Sequence, residues 1–259
     1  MKIICLVENT CFNDSFECEH GLSLFIQTKK HNVLFDMGQT DLFAKNADKL
    51  GIDLKTVDIA ILSHGHYDHG GGLKTFLDIN STAKVYINEN AFKPYYNGTE
   101  KYIGLDISLA DNERIVFVSD EFAIDDELFL LSENKKERTN SIETPNNLKI
   151  LKNGTFVDDE FLHEHYLVIK ENGRSMLVTG CAHKGIFNIL DWQKPYAVVG
   201  GFHLSNVDTG KISQSMLDAC NKNTKKFYTG HCTGEIQYQY LKEHLGNVDY
   251  ISTGKIIEL

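Results

Sequence analysis

His64-Gly65-His66-Tyr67-Asp68-His69 places three imidazoles and one carboxylate in six residues. The hexamer leaves Val57 to Leu62, an apolar run that reads as a buried strand. It is followed by Gly70-Gly71-Gly72, which lets the chain fold sharply into a helix beginning near Leu73. In an extended segment residues two apart point the same way, so His64 and His66 can grip one cation. After a turn, Asp68 and His69 can reach a second cation about 3.5–4 Å away. Gly65 keeps the backbone clear of that space. Without a metal the cluster would repel protons and cost stability, so the stretch is read as the densest part of a two-metal site.

Composition sets the outer limits. The chain has 259 residues with a hydrophobic fraction of 42%, enough for the core of one large α/β sandwich. One domain is expected. No apolar run of about 18 residues is present, so no membrane span is expected. Met1 to Glu8 reads as a first strand rather than a signal peptide, and the expected location is the cytoplasm. A formal net charge of -10 disfavours a phosphate-backbone partner, because Lys29-Lys30, Lys135-Lys136 and Lys225-Lys226 are short and scattered. The expected partner is a small molecule; the oligomeric state is not read from the sequence. Cysteines at 5, 11, 18, 181, 220 and 232 form no Cys-x-x-Cys pair, and a disulfide framework is not expected.

Strands alternate with helices outward from the hexamer. Ser23 to Thr28 and Asn32 to Phe35 read as a hairpin, and Thr40 as the cap of a helix ended by Gly51. Val85 to Asn88, Ile115 to Ser119 and Leu128 to Leu131 read as strands. Glu133 to Glu160, with Pro145 and Gly154, is polar and is expected to run as an irregular surface excursion. A second hairpin, Tyr166 to Lys170 with Met176 to Thr179, turns at Asn172-Gly173. Tyr196 to Val199 and Lys226 to Tyr228 follow as strands. Between them a helix carries Ile212, Met216 and Ala219 on one face, and Thr233 is expected to cap a last helix stopped by Gly246. The fold class is α/β, two sheets covered by helices.

Of the eleven histidines, His20, His31 and His244 read as ordinary surface residues; the other eight crowd the ends of expected strands beside glycines. The hexamer resembles the central His-x-His-x-Asp-His motif of the metallo-β-lactamase superfamily. The resemblance implies a four-layer αββα sandwich and extends from Asp36 to His231. Val33-Leu34-Phe35-Asp36-Met37-Gly38 looks like the family's early strand, whose aspartate orients a ligand histidine from behind. His163, in Phe161-Leu162-His163-Glu164-His165, stands where the family supplies a third histidine; His165 competes for that role and His163 is preferred. Cys181, in Thr179-Gly180-Cys181, replaces the family's bridging aspartate, as a thiolate ligand or as an inert buried thiol. His231, in Tyr228-Thr229-Gly230-His231, matches the late Gly-His that completes the second metal.

Cys181-Ala182-His183-Lys184-Gly185 and Gly200-Gly201-Phe202-His203-Leu204, together with Thr229-Gly230-His231-Cys232-Thr233-Gly234, resemble a subgroup of that superfamily that includes dihydropterin–ribofuranosylaminobenzene phosphate synthases of methanopterin biosynthesis. His183, Lys184 and His203 are expected to contact substrate, with Lys184 beside a helix start holding an anionic or phosphorylated group. The implied cofactors are two divalent ions, zinc first, with manganese, magnesium or iron as alternatives. The implied chemistry is hydrolysis, a metal-activated hydroxide attacking an ester, amide or phosphate centre with Asp68 taking up the proton. The subgroup implies an alternative, a transferase condensing a dihydropterin pyrophosphate with a ribofuranosylaminobenzene phosphate. A non-catalytic metal-binding protein is the third reading. A flavodiiron-type reductase is disfavoured because that family uses Glu where His66 stands, and an RNA-processing nuclease by the acidic balance. Tyr95-Tyr96 to Tyr102 offers aromatic faces for a flat ring, although a core role is the preferred reading.

Overall fold

The computed structural model describes residues 1–140, 142 and 147–259; Pro145 lies outside the described residues. Backbone contacts group the chain into two compact units, Met1–Ser119 with Asn147–Glu164 and Ser252–Leu259, and Asp120–Asn146 with His165–Ile251.

The first unit holds a seven-stranded sheet in the order Ile256–Glu258, Lys2–Val7, Ser23–Gln27, Asn32–Phe35, Ile59–Leu62, Lys84–Asn88, Ile115–Val118. Its first four strands pair antiparallel, and from Asn32–Phe35 onward the neighbours run parallel. The strand Ile59–Leu62 is buried throughout, as a strand covered on both faces must be. Leu34, Leu62, Val85 and Ile87 pack with Phe43 and Phe76 from the helices Leu42–Lys49 and Leu73–Ile79. Thr40 Oγ1 accepts the Leu42 amide at 3.1 Å, but Asp41 occupies the cap position of that helix.

The expectation of an irregular excursion over 133–160 is corrected. Leu148–Lys152 and Thr155–Asp158 form a hairpin, and the former strand pairs with Tyr95–Asn97, which pairs with Lys101–Tyr102. Asn153 at φ 50 and Gly154 at φ 78 supply the two left-handed residues of a tight hairpin turn. Tyr95, Ile103 and Ile150 make a small core there, so Tyr95 serves packing. Cys11 and Cys18 form a disulfide across seven positions, a local link that the composition argument did not foresee.

The second unit holds a sheet in the order Val248–Tyr250, Lys226–Gly230, Ala197–Gly201, Arg174–Thr179, Tyr166–Glu171, Leu128–Leu131, Glu121–Ala123. Its first four strands are mutually parallel, and the rest pair antiparallel. Asn172 and Gly173, both at positive φ, turn the expected hairpin. The helix Gln214–Asn223 buries Leu217 and Cys220, whereas Ala219 is exposed and Ile212 precedes the helix, so the expected face is corrected. Thr233 does not cap the helix Glu235–Leu245; its hydroxyl receives the Phe202 amide at 3.0 Å and meets Thr229 Oγ1. Of the apolar residues Ile236, Tyr240 and Leu241 read for this helix, Leu241 is buried as expected, beside Tyr238, whereas Ile236 is 73% exposed. Among the described residues no helix is long and apolar enough to cross a membrane.

Candidate metal centre

Parallel strands carry chemistry beyond their carboxyl ends, where successive loops converge. In the first unit Asp36 leaves the strand Asn32–Phe35 and Ser63-His64 leaves Ile59–Leu62. Asp36 is fully buried at φ 58. Its carboxylate accepts from Ser63 N at 2.7 Å, Ser63 Oγ at 2.8 Å and His69 Nδ1 at 2.6 Å. A carboxylate only accepts, so the His69 proton sits on Nδ1 and Nε2 keeps its lone pair. The Ser63 hydroxyl gives its one proton to Asp36, so at its 2.8 Å contact with His64 Nδ1 the imidazole is the donor. The unprotonated nitrogen of His64 is therefore also Nε2. One aspartate sets two tautomers.

The rings of His64 and His66 lie 4.5 Å apart and those of His64 and His69 4.2 Å apart. Asp68 Oδ2 lies 3.8 Å from His69 Nε2 and 3.2 Å from Nε2 of His20, which is 57% exposed. His20 was read as a bystander, because its approach to Asp68 depends on the path of the chain between them. Burial, and then the nearby His163, lower His66 to a pKa of about 3, while Asp68 and Asp159 pull the other way. Neutral imidazoles are the form a metal needs.

His163 lies 5.1 Å from His66, ring to ring. Its Nδ1 accepts the Gly65 amide at 2.8 Å, which puts the proton on Nε2, 2.9 Å from Asp159 Oδ2. Burial pushes the Asp159 carboxyl up, but the His163 hydrogen bond and charge, the Phe161 amide and His66 together hold it below the usual carboxylate range. Sequence reasoning missed Asp159; its one signal is the four-residue spacing to His163. His165, the competitor, is buried in the second unit.

Two expected results follow from this geometry. A Cβ on Gly65 would stand 2.1 Å from the Ala91 carbonyl oxygen, so Gly65→Ala should cost about 1–3 kcal/mol in urea unfolding. For His66 the folded pKa lies below the unfolded one, so the unfolded chain takes up the extra proton between about 6.5 and about 3. Its stabilising contribution is complete above that window and is lost as the pH falls through it. In metal-free protein the urea midpoint should decline over that range, and His66→Asn should flatten the decline. A wild-type midpoint that stays level across the range would refute the assignment.

In the second unit three adjacent parallel strands end in catalytic residue types. Arg174–Thr179 leads to Cys181 and His183, Ala197–Gly201 to His203, and Lys226–Gly230 to His231 and Cys232. Ala182, His203 and His231 take φ of 63, 51 and 52, a region costly for residues with a Cβ. Gly200, at φ 133, lets its strand approach Thr179, whose carbonyl oxygen a Cβ would meet at 1.9 Å. The donor atoms of Cys181, His231 and Cys232 all lie within 4.8 Å of one another. The rings of His183 and His203 lie 4.3 Å apart. Lys184, expected to meet an anion, is 2% exposed, gives its ammonium to the Ser132 carbonyl at 2.6 Å and lies over the Tyr166 ring.

Residues 17–191 match the family model described as the metallo-beta-lactamase superfamily. An uncharacterized protein of Methanocaldococcus jannaschii is 30% identical, over 97% of this chain and 98% of the relative. A second protein of that organism, named 7,8-dihydropterin-6-methyl-4-(beta-D-ribofuranosyl)-aminobenzene-5'-phosphate synthase, is also 30% identical, over 100% of this chain and 96% of its own. The crystal structure of Tm1679, described as a metal-dependent hydrolase of the beta-lactamase superfamily, superposes with a TM-score of 0.85 at 32% identity, covering 100% of this chain and 99% of that one.

Proposed function

Because the chain belongs to the metallo-β-lactamase superfamily and has its fold of mixed sheets, we propose that it is a metal-dependent hydrolase acting on an ester, amide or phosphate centre of a small molecule. The observation that carries this reading is the buried imidazole group of His64, His66 and His69, with two of the rings fixed by Asp36 and Ser63 so that the proton sits on Nδ1 and Nε2 is the unprotonated nitrogen. Such a donor set fits a borderline divalent ion, zinc before magnesium. His64, His66, Asp68 and His69 would hold it, with Cys181 and His231 as the donors of the second unit; His163, whose Nδ1 accepts the Gly65 amide and whose Nε2 proton faces Asp159, would have to give up one of those bonds to join them. Two ions per chain are the proposed complement. When bound they supply a Lewis acid and lower the pKa of a coordinated water. Asp68 would be the carboxylate that accepts a proton there, and Asp36 would keep His69 oriented. His183 and His203 are the proposed substrate contacts.

A second reading, transfer between a dihydropterin pyrophosphate and a ribofuranosylaminobenzene phosphate, is supported by the synthase-named relative, which aligns end to end. Cations held by the same residues would then bind the pyrophosphate leaving group. Elemental analysis of purified protein, joined to a screen of esters, phosphodiesters and pterin pyrophosphates, separates the two. Turnover of an ester or phosphodiester alone supports hydrolysis. A product that requires both pterin and aminobenzene substrates supports transfer. Protein that retains no divalent metal and turns over none of them would defeat both.

A further inference from the structure

We propose that Cys232 is a metal donor beside Cys181 and His231, so that the second unit carries a pocket of two thiolates and one imidazole selective for thiophilic divalent ions. The proposal rests on the metal reading above and extends it to a residue that the sequence argument passed over.

The three donor atoms lie within 4.8 Å of one another. Around a tetrahedral ion with metal–sulfur bonds of about 2.3 Å, donors stand roughly 3.5–3.8 Å apart, so closure needs a small movement. Two backbone features place Cys232 there at a cost. His231 adopts φ 52 in the short turn His231–Thr233, which lets consecutive side chains share one locus. Gly201 leaves the room: a Cβ there would stand 2.5 Å from Cys232 Sγ. The sulfur is held in place by the His203 amide, which it receives at 3.2 Å, and by its own contact with the Cys181 carbonyl oxygen at 3.5 Å. The other two free thiols, Cys5 in the strand Lys2–Val7 and Cys220 in the helix Gln214–Asn223, are buried and serve packing.

Two thiolates and an imidazole prefer zinc, cadmium or cobalt to magnesium or manganese. The test is cobalt titration of chelator-stripped full-length protein. Visible ligand-field bands report binding anywhere, and near-ultraviolet charge transfer reports sulfur. Cys232→Ser and Cys181→Ser should each reduce the charge-transfer intensity per chain about twofold, the double variant should abolish it, and Cys220→Ser should leave it intact. Zinc-edge absorption of the wild type, which needs no variant, should count two sulfur donors per chain. A count of one or none, or full charge transfer in Cys232→Ser, overturns the proposal while the histidine site stands. Absence of ligand-field bands in the wild type overturns both it and the metal reading.

Discussion

Replacing His64 and His66 together by alanine is expected to strip the first unit of tightly held metal and to lower turnover at least about a thousandfold. The two rings, 4.5 Å apart, stand two residues apart on the loop that leaves the strand Ile59–Leu62, and a cation gripped by both loses its shared anchor when both go. His69 and Asp68 would remain, but two donors on one short helical turn hold a divalent ion weakly. The measurement is metal content after gel filtration, alongside kcat/KM for whichever substrate the screen identifies. A binding protein that uses metal to fold behaves differently: its metal is lost and its thermal transition collapses, with no turnover to remove. If metal is lost while turnover stays within about twofold of wild type, the ions are not catalytic and the enzymatic reading is wrong.

The hexamer was legible because its logic is local. A strand ending in Leu62, a two-residue spacing and a glycine run need no knowledge of distant chain. Asp36 was legible only through the resemblance of Val33–Gly38 to the family's early strand. Asp159 and His20 were not. Each acquires its neighbour through the fold, and neither stands in a pattern that marks it. The hairpin Leu148–Asp158 was hidden by composition. It buries Ile150 but exposes Lys152, Thr155, Val157 and Asp158, so its apolar alternation is diluted below what a scan detects. The helix Gln214–Asn223 failed through phase: counting the 3.6-residue period from Ile212, which lies outside the helix, turned the predicted face away from Leu217 and Cys220. Thr233 was assigned to the helix that follows it, but its hydroxyl is taken by the strand ends behind it. Glycine identity carried more than it was credited with. Gly201 read as part of a strand-end motif, yet its missing side chain is what admits the sulfur of Cys232.

Asp36 separates stability from metal affinity, and its two substitutions should fail in opposite ways. Alanine leaves three buried donors, Ser63 N, Ser63 Oγ and His69 Nδ1, without their acceptor. It also forces a residue with a Cβ and no compensating side-chain bond to φ 58. The expected loss is about 3–5 kcal/mol, read from the urea midpoint of metal-free protein. Asparagine tolerates that φ and keeps one acceptor, so its stability loss should be smaller. Its amide must lie where Oδ2 was, because at Oδ1 it would face the Ser63 amide, a donor that cannot reverse. From there its N–H faces His69 Nδ1 and drives the imidazole proton to Nε2, the atom a metal requires. Asp36→Asn should therefore weaken metal binding about 10–100-fold. If Asp36→Ala unfolds within about 1 kcal/mol of wild type, or if Asp36→Asn binds zinc as tightly as the native protein, this carboxylate does not set the tautomers of the site.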